Sequence, residues 1–188
     1  LVVVAQALAD GGDESATVYI DRLRETRPIE AEALSGQLRW RQRRFAEAAG
    51  HYEKAFTDYR EDPWPLLSVM NKSFLVVADI AGRDRALAAR LDNALASPFA
   101  VLLMNEERLQ TRYKLATYLD QSKLEEAIAA LEPHVPWRRA FLDRRAKIYE
   151  ATGNPRAPIA RKELAEFLKH DTGKPDSSTA PPATGDQR

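Results

Sequence analysis

Three residues on one helical face, Ala16, Ile20 and Leu23, return 32 residues later as Ala48, Tyr52 and Ala55. A chain that repeats at this interval is made of units too small to bury their own apolar faces, so each unit must stack on its neighbour. Elsewhere apolar residues recur every three or four positions among Ala, Leu, Arg and Glu, the helical period and not the strand period. The pattern predicts an all-α chain.

Helix ends follow from their punctuation. Gly11 and Gly12 break the first segment, Pro28 follows the second, and Asp62, Pro63 and Pro65 separate the fourth from the fifth. Gly82, Pro98, Pro133, Pro136 and the Gly153, Asn154, Pro155 turn mark the later boundaries. The segments then pair as hairpins: 1–10 with 14–27, 30–42 with 45–60, 65–81 with 85–96, 99–119 with 123–132, and 137–152 with 156–169. Ser122 with Glu125 fits a capping box opening a helix over about 123–131. From Thr172 onward no aromatic or large aliphatic side chain remains, which predicts one helical domain over 1–171 and a disordered tail or linker over 172–188.

The second hairpin carries Gly36 in its first helix, Phe45 entering the second, Ala48, Tyr52 and Ala55 within it, and Pro63 beyond. Small residues at 36 and 48 allow two helix backbones to approach, and Tyr52 fills the space beside them. The first hairpin keeps Ala16, Ile20 and Pro28; the fourth Tyr118, Leu124, Ala127 and Leu131; the fifth Tyr149, Gly153 and Ala165. This spacing resembles the tetratricopeptide repeat, whose period is about 34 residues. The third hairpin departs from it, and Lys162 stands where an aromatic is expected. The resemblance implies a right-handed superhelical array of hairpins that binds proteins, with Gly36, Ala48, Tyr52, Tyr118, Ala127 and Tyr149 between helices.

Residues 62–169 contain Asp62-Pro63-Trp64-Pro65-Leu66-Leu67, Met70-Asn71, Ser97-Pro98-Phe99-Ala100-Val101 and Leu131-Glu132-Pro133-His134-Val135-Pro136-Trp137. They are similar to the helical-repeat extension of bacterial spermidine-synthase-like membrane proteins. That similarity implies a parent with a membrane region and an aminopropyltransferase-like domain upstream, this region serving as its accessory, and a cytoplasmic location. The opening Leu1-Val2-Val3-Val4-Ala5, without an initiator Met, fits a fragment of a longer protein.

The chemistry available is limited. Lys+Arg and Asp+Glu stand at 28 each, so no net field favours nucleic acid or an anionic membrane. There is no Cys, which removes disulfides, thiolate metal sites and a cysteine nucleophile. The apolar runs 74–78 and 99–104 fall far short of the roughly 20 residues of a membrane span. His51, His134 and His170 lie in separate elements, without metal-site spacing. Glu106-Glu107 and Glu125-Glu126 are adjacent in sequence and so diverge on a helix. The run from Leu8 to Asp13 with Gly11-Gly12 reads as a helix-to-helix turn, since no βαβ pattern follows to make it a phosphate loop.

Two arginine-rich stretches remain. Arg39, Arg41, Arg43 and Arg44 surround Trp40, a mixture able to stack a base but more simply explained by arginine stems covering an apolar stripe. From Trp137 to Lys162 eight basic residues face two acidic ones, an excess of six. The sequence therefore predicts a non-catalytic docking module with no cofactor and no metal. Its partner is a protein or an adjacent domain of the same chain, met by a solvent-facing basic surface of Arg138, Arg145 and Lys162.

Overall fold

The computed structural model describes residues 1–171, which contain ten α-helices and no strand. The predicted tail, 172–188, lies outside them. The helices are α1 (Val2–Gly11), α2 (Ala16–Arg24), α3 (Pro28–Arg41), α4 (Phe45–Asp58), α5 (Leu67–Ala81), α6 (Arg85–Ala94), α7 (Asn105–Ala116), α8 (Gln121–Ala130), α9 (Arg139–Thr152) and α10 (Ala157–His170). Short 3-10 turns occupy Leu102–Met104 and Glu132–His134. Among the described residues no helix is long and apolar enough to cross a membrane. The chain divides into two compact units, Leu1–Val135 and Pro136 onward, where the sequence reading runs one domain over 1–171.

The five predicted hairpins all form, including the third, which lacks the repeat pattern. Its first helix is held by Val69, Met70, Phe74, Val77 and Ile80, all buried, so apolar burial suffices there without the repeat residues. In the first unit each new hairpin packs its leading helix against both helices of the one before: α3 on α1 and α2, α5 on α3 and α4, α7 on α5 and α6. Helix α3 is therefore enclosed, and its residues from Glu30 to Leu38 are all buried. The core continues as a run of rings, with Phe56 5.8 Å from Phe74 and 5.9 Å from Phe99, and Tyr52 6.0 Å from Phe56.

The turns explain where helices stop. Gly12 (φ 73°) and Gly153 (φ 68°) take the left-handed conformation that closes a helix end, and in each the next residue's amide reaches back to the carbonyl five positions earlier: Asp13 to Leu8 and Asn154 to Tyr149. Arg43 (φ 61°) makes the same closure for α3 without being glycine, with Arg44 N donating to Arg39 O at 2.8 Å. The Gly11-Gly12 stretch is thus a helix-to-helix turn.

Three expectations need correcting. Helix α7 starts at Asn105 and not near 99, because Phe99 is drawn into the core and Ala100 N donates to Tyr59 O at 3.1 Å. The capping residue of α8 is Asp120, which accepts from Lys123 N at 2.9 Å, so Ser122 lies inside the first turn and does not open it. Tyr118 is 46% exposed, with its hydroxyl 3.1 Å and its Cζ 3.4 Å from where a Cβ on Gly82 would stand. Gly36, Ala48, Tyr52, Ala127 and Tyr149 are buried as predicted.

The closeness at Gly36 gives a direct test. A Cβ there would lie 2.9 Å from Tyr52 Cε2, 3.0 Å from Cζ and 3.1 Å from Cδ2, against a ring with no exposed surface into which to swing. Gly36→Ala is expected to lose about 1–3 kcal/mol in urea unfolding despite the better helix former. Gly50→Ala on α4, where the nearest side-chain atom is Arg90 Nη2 at 4.0 Å, is expected to gain up to about 1 kcal/mol. Equal behaviour of the two variants would refute the close approach.

Candidate functional site

The predicted basic surface is not continuous. Arg145 is 1% exposed; its guanidinium bonds Glu163 and lies 5.6 Å from the centroid of Tyr149. The reason is position: on α9 it follows Phe141 and Leu142 by one turn and precedes Tyr149 by another, all of them buried. Arg138 and Lys162 are exposed. They stand at different ends of the hairpin, Arg138 beside Trp137, whose ring meets Phe167, and Lys162 beside the Arg161–Glu150 ion pair. Lys147 pairs with Asp143 at 2.7 Å and Arg139 with Asp171 at 3.7 Å. Four of the eight basic side chains, Arg139, Arg145, Lys147 and Arg161, are thus paired within this unit.

Three of the four arginines around Trp40 are also occupied. Arg39 pairs with Glu14 at 2.8 Å, Arg44 with Glu47 at 2.5 Å, and Arg41 lies 4.7 Å over the Trp40 ring. Trp40 Nε1 donates to Asp79 Oδ2 at 2.7 Å. Hydrogen bonds from Arg39 and Gln42 hold the Glu14 carboxyl down at about 2. This is structural glue joining the α1–α2 turn, α3 and α5 and not a free stacking platform.

A buried carboxylate that sequence reasoning passed over lies at Glu32. It is ion-paired with Arg24 of α2, and its Oε2 is 2.8 Å from His51 Nδ1 of α4. Burial raises its pKa, but hydrogen bonds and charge from His51 and Arg24 outweigh that and hold it below the usual glutamate range. A carboxyl depressed in the folded state stabilises above its unfolded pKa of 4.5, and that contribution is lost as pH falls through the folded value. Glu32→Gln is therefore expected to cost about 1–3 kcal/mol near pH 7 and progressively less below pH ~4.5. A difference from the parent chain that stayed constant from pH 7 to 3 would refute this. His134 and His170 are exposed, and among the described residues no group of three His, Cys, Asp or Glu is placed to hold a metal ion.

Among the described residues, each unit has an open groove. In the first unit α4 packs on α6, but α8 makes no comparable contact with α6, which leaves a groove of 520 Å³. Ala86, Ala89 and Leu119 supply its apolar wall, Arg85, Asp120 and Lys123 its rim, and Asp92 part of its lining. Asp92 receives Arg112 Nε at 3.0 Å on Oδ1, and the other end of Arg112 reaches Glu126 at 2.5 Å.

In the second unit, a groove of 270 Å³ runs between α9 and α10. Asp143, Ala146, Lys147 and Glu150 line one side and Arg161, Leu164, Ala165 and Leu168 the other. Each set is spaced i, i+3, i+4, i+7, so two turns of each helix present one face. Ala165, kept from the repeat pattern in the fifth hairpin, is exposed and lines this groove. Its small size, and that of Ala146, leave space between the larger side chains that line the groove. Comparison with known proteins finds no matching family model, no matching curated relative and no matching solved structure.

Proposed function

We propose that the chain is a non-catalytic docking module of tetratricopeptide-like hairpins that binds a helix of another protein or of an adjacent domain. The observation that carries this is the α9–α10 groove, with small or aliphatic residues along its floor and charged pairs, Asp143–Lys147 and Glu150–Arg161, on its rims. In the first unit three such two-helix faces, α1–α2, α3–α4 and α5–α6, each receive the next leading helix, α3, α5 and α7 in turn. A helix of a partner laid on α9 and α10 would make the same kind of contact, with side chains at i, i+3, i+4 and i+7. The stacking of α1, α3, α5 and α7 in succession supports reading the first unit as a short superhelix of the same kind.

The test is binding of a labelled helical peptide with leucines at i, i+3, i+4 and i+7 and balanced Lys and Glu elsewhere. Saturable binding is expected, weakened at least tenfold by Leu164→Glu with unchanged helicity. No saturable binding, or binding indifferent to that substitution, overturns the reading.

A further inference from the structure

Of the large apolar side chains in the first unit, several of the most exposed gather at the starts of leading helices. Trp64 is 81% exposed and Leu67 39%, just before and within the first turn of α5; Leu102 is 74% and Leu103 73% exposed, in the 3-10 turn that leads into α7. Helices α5 and α7 pack together, and α6 returns between them through a three-residue turn, so α5 and α7 run parallel and begin at the same edge. The two segments ahead of them are bonded directly: Ala100 N donates to Tyr59 O at 3.1 Å, and Arg60 Nη2 to Ala94 O at 2.7 Å.

The backbone that displays these side chains is fixed. Trp64 N donates to Asp62 Oδ1 at 2.8 Å, Leu66 N to the buried Glu30 at 2.8 Å, and Arg27 to Trp64 O at 3.3 Å. Phe99 and Met104, both buried, clamp the other segment on either side of Leu102 and Leu103. Single surface leucines need no explanation, but a tryptophan and three leucines on two bonded, pinned segments form a pre-organised apolar patch.

The charge carried by the two segments themselves has one sign, and Arg27, which reaches Trp64 O from α2's end, is ion-paired with Glu30 at 3.6 Å. Residues 61–67 and 101–107 contain Glu61, Asp62, Glu106 and Glu107 and no Lys or Arg. The flanking arginines turn inward: Arg60 to the Ala94 carbonyl, and Arg108, 4% exposed, to the carbonyls of Leu95 and Ala96. Acidic residues in the first turn of α7 suit the helix dipole, which accounts for Glu106 and Glu107 but not for Glu61 or for the apolar display beside them. An anionic bilayer would be repelled by this edge, whereas a basic protein segment would be attracted to it.

We propose that this edge, formed by the segments ahead of α5 and α7, docks a partner segment in which large apolar side chains are flanked by lysine or arginine. The proposal extends the docking reading to a second surface, separate from the α9–α10 groove. It is tested on the whole chain with two labelled 12-residue peptides of identical leucine and phenylalanine content, one flanked by lysines and one by glutamates, by fluorescence anisotropy at 50 and 300 mM NaCl. The lysine peptide is expected to bind at least tenfold more tightly than the glutamate peptide, with the advantage shrinking at high salt. The triple variant W64A/L102S/L103S is expected to lose at least tenfold in affinity with unchanged helicity, and E106K/E107K to reduce or reverse the preference between peptides. Equal binding of the two peptides, or affinity untouched by the triple variant, overturns the proposal. So does failure of the lysine peptide where phosphatidylcholine vesicles bind in a Trp64-dependent way. Leu164→Glu separates the two surfaces: if it abolishes lysine-peptide binding while W64A/L102S/L103S does not, the edge proposal fails and the docking reading stands.

Discussion

Arg145→Glu is expected to destabilise the α9–α10 hairpin by about 3–5 kcal/mol, the scale for breaking a buried ion pair from one side. The guanidinium has almost no contact with solvent, and it satisfies Glu163 while covering the face of Tyr149. Reversal places a second carboxylate beside Glu163 and against the negative face of the ring, at a position almost closed to water. Arg145→Met keeps the volume and removes the charge. Glu163, whose side chain retains 30% exposure, can then turn to water, so this variant should lose clearly less. Lys162→Glu, on the exposed side of α10, should stay within about 0.5 kcal/mol of the parent chain. Urea unfolding followed by circular dichroism distinguishes the three. An unchanged midpoint for Arg145→Glu would return Arg145 to the surface and restore the basic face that the sequence suggested.

That face illustrates what the sequence could not carry. A local surplus of arginines is visible in a one-dimensional reading, but which of them point inward depends on neighbours across the hairpin. Glu163 lies 18 positions from Arg145, and Glu150 lies 11 from Arg161. Helix α3 makes the same point more strongly. Glu30, Glu32 and Gln37 are polar by type, yet all three are buried because α1, α2, α4 and α5 close around the helix. Their partners, Leu66 N, Arg24, His51 and Asp10, come from other elements. A helix enclosed on all sides has no polar face for periodicity to find.

The features that were legible depend on residue size or backbone restriction, which the sequence prints directly. Gly36 against Tyr52 is a matter of volume, and Gly12 and Gly153 are matters of backbone conformation. Helix starts were less secure. Asp120 and Ser122 are both good capping residues two positions apart, and the choice of Asp120 rests on where α7 ends. The docking edge is not legible in the sequence because Trp64 and Leu102–Leu103 are 38 residues apart, the first in the Pro63–Pro65 break and the others in the segment 99–119. Only the bond from Ala100 to Tyr59 and the packing of α7 on α5 set them on one edge.

Breaking the Asp92–Arg112 pair should be comparably costly, and in a way that orders the two partners. Asp92 is 1% exposed with Oδ2 buried and unpartnered, and Arg112 supplies a hydrogen bond to Oδ1. Arg112→Ala would strip that hydrogen bond from an already under-satisfied buried carboxylate. A loss of about 3–5 kcal/mol is expected. Asp92→Ala leaves Arg112 its bond to Glu126, whose side chain is half exposed, so the remaining ion is still paired. Burial and the nearby charges of Arg112 and Arg60 already push Arg108 down to about 10, so losing Asp92 also removes counter-charge from a crowded cationic site. Asp92→Ala is therefore expected to be damaging but milder than Arg112→Ala. The double variant should lose less than the sum of the two single losses, with a coupling of at least about 1 kcal/mol, because neither ion is then left buried alone. Both effects are read from urea unfolding of the four proteins. Strict additivity would mean that the two side chains do not interact, and a milder Arg112→Ala would mean that Asp92 has a partner other than Arg112 in solution.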